Sequence, residues 1–286
     1  METKFKGSQS FTLRSGWVQK ALIEIKNRPD VNVFSKKDGV IYLGLGSNMV
    51  TSLKYWLDTA GITDISKKKN SQLSPFGELI YKYDQYLETP FVWQLIHLQI
   101  SSNQYMAPLF WFLFNRCRSG ETFTKDSFCE DYIDFAKANN TKVNQNYVSD
   151  DFSVLVRSYI STEKSDPEDN MDCPLSELSL LVQGGRGQFK KTPIGLDALD
   201  PRIVFFQLRA FAKKKDSIAF EDFVDSEDGP CRSFNLDRSS LMTVLGSLSN
   251  AGYLTITRTA GLNVVYLNRK TYNMKDLFSD VFGGQQ

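Results

Sequence analysis

The chain has 286 residues, 41% hydrophobic and 23% charged, with a formal net charge of +1. Such a length holds two or three domains, and the composition excludes disordered and fibrous classes. A net charge this close to zero excludes a global basic field, so any affinity for nucleic acid has to come from local patches.

Residues 1–10 are polar. Trp17, Val18, Ala21, Leu22 and Ile25 then recur at helical spacing, and Pro29 ends that helix. Ser35, with Asp38 three residues on, starts a helix over 36–43. Gly44-Leu45-Gly46 makes a tight turn, and Ser47 or Asn48 caps a helix that runs to Thr59 and stops at Gly61. Residues 62–65 read as a short strand, Lys67, Lys68 and Lys69 as a basic loop, and 74–81 as a returning strand or short helix. This order defines a winged-helix-like module over residues 11–83.

A helical middle domain follows over 84–160, with helices predicted at 91–100, 106–115, 125–139 and 150–160, and Thr124 as a cap. The window 106–114 is the most apolar of the chain. It is too short to span a bilayer and reads as a buried helix, so no membrane partner is expected. Residues 161–198 read as a linker with a short strand at 178–182. Glu163, Asp166, Glu168 and Asp169 surround Pro167, a glycine turn lies at 184–187, and basic Lys190 and Lys191 follow.

Residues 199–271 have the order of a second winged helix. Ile203, Val204, Leu208 and Phe211 mark its first helix, and a short segment covers 218–224. Asn235-Leu236-Asp237 opens a third helix with Leu241, Val244, Leu245 and Leu248 on one face. Gly252 stops it. Strands at 253–258 and 262–267 follow, joined by Thr259-Ala260-Gly261. The tail, 272–286, starts with an amphipathic helix suited to docking. The fold class expected is mainly α with small β wings, two winged-helix-like modules flanking a helical middle region.

Little in the chain points to catalysis. His97 is the only histidine, and it stands among Leu95, Ile96 and Leu98 as a hydrogen-bonded structural residue. Cys117, Cys129, Cys173 and Cys231 form no CxxC pair, which suggests reduced thiols in a cytoplasmic protein and no metal site. The run 44–49 lacks the ending of a P-loop and the third glycine of a dinucleotide loop, so it reads as the turn of a helix-turn-helix. Glu130, Asp131 and Asp134, with Lys137 nearby, have residue types that a metal-dependent nuclease uses. Phe128, Tyr132, Phe135 and Ala136 take the apolar side of that helix and leave the acids on a solvated face. No cofactor and no enzymatic activity are expected.

The third helix of a winged helix usually enters a DNA major groove. The expected DNA contacts are therefore Lys36, Ser47, Asn48, Thr51, Lys54 and the loop lysines Lys67, Lys68 and Lys69 in the first module. In the second, the third helix presents Asn235, Arg238, Ser239, Thr243 and Ser247, with Arg238 and Arg258 as its DNA contacts. Lys213, Lys214 and Lys215 form a further basic cluster. The acidic run Asp222, Asp225, Glu227 and Asp228 opposes DNA on its side and favours a protein contact. Double-stranded DNA is the leading partner. A protein-interaction scaffold and a winged-helix transcriptional regulator are the alternatives.

Several blocks resemble a known family. They are Phe11-Thr-Leu-Arg-Ser-Gly-Trp17, Phe34, Leu43-Gly-Leu-Gly-Ser-Asn-Met-Val50 and Ser52-Leu-Lys-Tyr-Trp56. Tyr86-Leu-Glu-Thr-Pro90, Trp93, Trp111 with Phe114-Asn115, and Cys173-Pro-Leu-Ser-Glu-Leu178 continue in the same order. Together they resemble the uncharacterised bacterial domain of unknown function numbered four thousand and seven. Ser47 stands where the resemblance leads one to expect a lysine, and the Phe11 block lacks a histidine. Such proteins occur beside phage-defence genes, notably DNA phosphorothioation systems. The resemblance implies a DNA-binding accessory subunit with other defence-system proteins as partners. It supplies no catalytic residues.

Overall fold

The computed structural model describes residues 3–67, 69–161, 173–259 and 262–283. They divide into two compact units, Met1–Thr192 and Pro193–Gln286. The chain is mainly helical, with two three-stranded antiparallel sheets.

The first unit opens with α1 (Ser15–Asn27), α2 (Asp38–Leu43), α3 (Ser47–Thr59) and α4 (Pro75–Tyr83). The apolar positions of α1, Trp17, Val18, Ala21, Leu22 and Ile25, are all buried. α2 begins at Asp38 rather than Lys36. The Ser35 hydroxyl accepts the Asp38 N–H at 3.0 Å and donates to its carboxylate at 2.7 Å, which fixes the first turn there. Gly44 ends α2 with φ +64°, a conformation glycine adopts without steric cost. Gly46, in extended backbone, is the N-cap of α3, so Ser47 is its first residue and neither Ser47 nor Asn48 caps it.

The strand expected at 62–65 is reduced to one antiparallel bridge, Thr63 with Leu73. On either side of it, Asp64 N–H donates to Gln72 C=O and Ser74 N–H to Ile62 C=O. The Asp64 carboxylate accepts both the N–H and the hydroxyl of Ser66. This side-chain turn competes with strand pairing and ends it after Asp64. The returning segment is the helix α4, because Ser74 accepts the Gly77 N–H and Pro75 occupies the first helical position.

α5 (Pro90–Ser101), α6 (Pro108–Asn115), α7 (Lys125–Ala138) and α8 (Gln145–Tyr159) form the middle of this unit. Every residue of α6 is buried, as expected of a helix apolar all round. Among the described residues no helix is long and apolar enough to cross a membrane. Thr124 caps α7 in a box with Ser127. α8 starts at Gln145, ahead of the expected 150, because the Asn144 side chain accepts the Asn146 N–H.

Three strands complete the unit: β1 (Thr122–Thr124), β2 (Leu181–Gly185) and β3 (Gln188–Lys191), in the order β1-β3-β2. A 3-10 helix, Pro174–Leu178, precedes β2. Residues 173–192, which the sequence reads as linker, are thus folded into the first unit. Of the acidic stretch read as linker, residues 162–172 lie outside the described residues. Phe123, Phe128, Phe152 and Phe189 pack as a ring cluster joining the sheet to α7 and α8. Lys191, read from the sequence as part of a basic pair, is only 2% exposed. Its ammonium donates to the carbonyls of Phe114 (3.1 Å) and Cys117 (2.9 Å) at the end of α6. Cations are favoured at that helix end.

The second unit runs α9 (Pro201–Ala212), β4 (Ser217–Ala219), α10 (Phe220–Val224), α11 (Pro230–Ser233), α12 (Arg238–Asn250), β5 (Leu254–Thr259), β6 (Leu262–Leu267) and α13 (Met274–Phe282). Its sheet has the order β4-β6-β5. The segment expected at 218–224 splits into β4 and α10. Asp237 caps α12 by accepting the Ser240 N–H at 2.7 Å. Leu241, Val244, Leu245 and Leu248 are buried, and Gly252, at φ +78°, follows the helix. Ala260 and Gly261 of the expected turn lie outside the described residues. The tail helix α13 buries Leu277 and Phe278. Its Asp280 carboxylate accepts from Tyr253 (2.8 Å), Arg269 (2.7 Å) and Tyr272 (2.9 Å).

Candidate nucleic-acid interface

α3 sets Ser47, Thr51, Lys54 and Asp58 along one side, at spacings of three and four residues. Ser47, Asn48 and Thr51 are exposed. The Thr51 hydroxyl donates to the Ser47 carbonyl at 3.0 Å. Lys54 is committed further along: its ammonium lies 2.5 Å from the Asp58 carboxylate and 6.0 Å from the centroid of the Phe34 ring. The other Asp58 oxygen accepts the Thr63 hydroxyl at 2.5 Å. Asp58 therefore ties α3 to the loop beyond it while neutralising Lys54.

That loop, closed by the bridge between Thr63 and Leu73, carries Lys67 and Lys69, both exposed. Lys68, the middle lysine, lies outside the described residues. Lys54 and Lys67 line the same cleft of about 250 Å³, together with Asn32, Phe34, Asp58, Asp64 and Gln72. Lys36 is exposed in the turn that also supplies Asn32 and Phe34. Two lysines oppose two aspartates in this cleft. Hydrogen bonds from Ser66 hold the Asp64 carboxyl below its usual range, so it stays ionised. The structure thus joins Lys54 and Lys67 in one cleft, with the exposed start of α3 leading away from it.

In the second unit Arg238 is the first residue of α12 and pairs with Glu221 of α10. Its guanidinium also stands 5.6 Å from the Phe220 ring centroid. Ser239, Thr243 and Ser247 are exposed as expected. Asn235, expected outward, is 2% exposed, because it sits in the turn before the cap at φ +56° and not on the helix. Arg258 is exposed on β5, opposite Asn263 of β6. The pair between Lys54 and Asp58 has the i,i+4 spacing that a sequence displays. The pair between Arg238 and Glu221, 17 residues apart, has no such signal.

His97 is fully buried and shares a 2.7 Å hydrogen bond with the Tyr159 hydroxyl. Burial pushes that hydroxyl well above the ordinary tyrosine range. Glu130, Asp131 and Asp134 are exposed, and Asp134 pairs with Lys137 at 3.0 Å. Among the described residues no three histidine, cysteine, aspartate or glutamate side chains gather as metal ligands. All four cysteines are free thiols.

The family described as protein of unknown function (DUF4007) matches residues 5–282. The chain belongs to this family. Two solved structures share its fold, an SspB crystal structure and a magnesium ion-bound SspB crystal structure. Their TM-scores are 0.82 and 0.83, each at 19% identity over 99% of this chain and 88% of theirs. At that identity the likeness concerns the fold alone. No curated protein matches the chain.

Proposed function

We propose that the chain is a non-catalytic, DNA-binding accessory subunit of a bacterial phosphorothioation-type defence system, working in the cytoplasm with other defence proteins. Residues 11–83 of the first unit and residues 199–271 of the second each act as a winged-helix module. In the second unit this reading is supported by the order helix, strand, helices, strand, strand and by the sheet order β4-β6-β5. In the first it is supported by three helices followed by the bridged lysine loop.

The observation that carries the DNA reading is the cleft shared by Lys54 and Lys67, with Ser47, Asn48 and Thr51 exposed earlier on α3. A helix start and a lysine loop together suit a phosphate backbone. Lys36, Lys68 and Lys69 extend that contact, and Arg258 is a separate contact in the second unit. Arg238, neutralised by Glu221, contributes once DNA displaces its partner. The defence role rests on the family resemblance. Replacing Lys67, Lys68 and Lys69 by alanine tests the loop. The expected result is weaker duplex binding at low salt and a flatter salt dependence. Unchanged affinity and slope would remove the loop from the interface.

A further inference from the structure

The second unit carries a cationic surface just past the end of α9, organised by a buried arginine. Arg209 on α9 is 5% exposed. Its guanidinium donates to the carbonyls of Lys213, Lys215 (2.9 Å) and Arg269 (3.5 Å). It serves three backbone oxygens from two separate stretches of chain. Lys213 takes φ +52° and ψ −109°, a conformation costly for a residue with a side chain and held only where surroundings enforce it. With these carbonyls bound to Arg209, the side chains of Lys213, Lys214 and Lys215 are all exposed. Lys270, next to the Arg269 carbonyl, is exposed as well. The turn is closed against the end of β6 by Leu267 N–H, which donates to Asp216 C=O at 2.8 Å.

Among the described residues none of these four lysines has a carboxylate within ion-pair distance, whereas Arg269 is paired with Asp280. Asp216 is the acid next to them in the chain. Arg209 is bonded to carbonyls rather than to a carboxylate, so its charge adds to the field of the lysines. This differs from α12, where Glu221 neutralises Arg238.

We propose that this lysine turn is a phosphodiester-backbone contact, and that the second unit meets DNA through it more than through α12. The inference rests on the DNA-binding reading above. Lysine is depleted from the cores of protein–protein interfaces, and it is a common source of sequence-independent phosphate contacts. The chemistry therefore favours a nucleic-acid backbone over an acidic protein. Arg209 is a positioning residue that holds the lysine-bearing backbone and touches no ligand.

The test uses the full chain with Lys213→Ala, Lys214→Ala, Lys215→Ala and Lys270→Ala combined, titrated against a duplex between about 50 and 200 mM salt. The expected loss is on the order of tenfold or more at the lower salt, with the log–log salt slope reduced by about 2 to 4. If the combined variant misfolds by circular dichroism, Lys214→Glu and Lys270→Glu singly carry the same test. Unchanged affinity and slope overturn the inference and leave the DNA reading standing. Weaker binding at an unchanged slope also overturns it, because lost phosphate contacts must lower counterion release. Loss of a copurifying protein with duplex binding intact overturns it in favour of a protein contact. A wild-type chain that binds no duplex at low salt overturns both the inference and the reading beneath it.

Discussion

Lys54 and Asp58, one turn apart on α3, form a 2.5 Å ion pair in the lining of the lysine-loop cleft. The same aspartate holds the Thr63 hydroxyl. One carboxylate thus fixes the loop and removes a positive charge from the surface expected to meet phosphate. Its removal should separate these roles.

Asp58→Asn keeps an oxygen for Thr63 and releases Lys54. Duplex binding at low salt should tighten about three- to tenfold, and the salt slope should steepen by about 0.9, one phosphate contact. Salt-dependent titration of this variant checks it. An unchanged slope would mean that Lys54 does not reach the DNA.

Lys191 should matter for stability and not for binding. Removing it leaves the Phe114 and Cys117 carbonyls without this donor and opens space along its buried stem. Lys191→Ala should cost about 2–3 kcal/mol, whereas Lys190→Ala should stay within about 0.5 kcal/mol. Urea unfolding of both variants gives the comparison, and equal losses would contradict the buried-cap account.

The element order was largely legible in the sequence because it depends on local signals. Trp17 to Ile25 and Leu241 to Leu248 repeat at helical period, Gly44 and Gly252 take the positive φ expected of helix ends, and Thr124 caps α7. The sheet of the first unit was less legible. β1 pairs with β3 across more than sixty intervening residues, Thr122 opposite Lys190, and such pairing leaves no periodicity at β1, which is three residues long. Lys191 shows the same limit. Its neighbour looks identical in composition, and only the distant end of α6 makes it a core residue. At the candidate site the exposed positions of α3 were readable from helical spacing. The neutralisation of Arg238 and the joining of the Arg269 carbonyl to the Lys213–Lys215 turn through Arg209 were not, because both depend on contacts between elements.

Asp151 predicts a pH dependence. Burial pushes its carboxyl up to about 6, against the opposing effects of the Lys6 N–H at 2.9 Å and the Lys6 charge; neighbouring Asp150, itself paired with Lys6, adds to the rise. In the unfolded chain the group titrates near about 3.9. Between these values the folded state holds the extra proton, so the contribution of Asp151 to stability is most favourable below about pH 4 and falls as pH rises to about 6. Above that this contribution is flat. Asp151→Asn should remove this slope, leaving the variant more stable than wild type at pH 7 and similar at pH 4. Denaturant midpoints across that range check the sign, and a wild type stabilised by Asp151 as pH rises from 4 to 6 would refute it.

The proposed binding of duplex DNA through phosphate contacts underlies the other DNA predictions. Its most direct test is a titration of the purified full chain against phosphorothioated and unmodified duplexes of one sequence, at about 50 and 200 mM salt. Binding should weaken by a decade or more between the two salts, with any difference between the duplexes reporting recognition of the modification. No binding to either duplex at the lower salt would contradict it and turn both units into protein-docking modules.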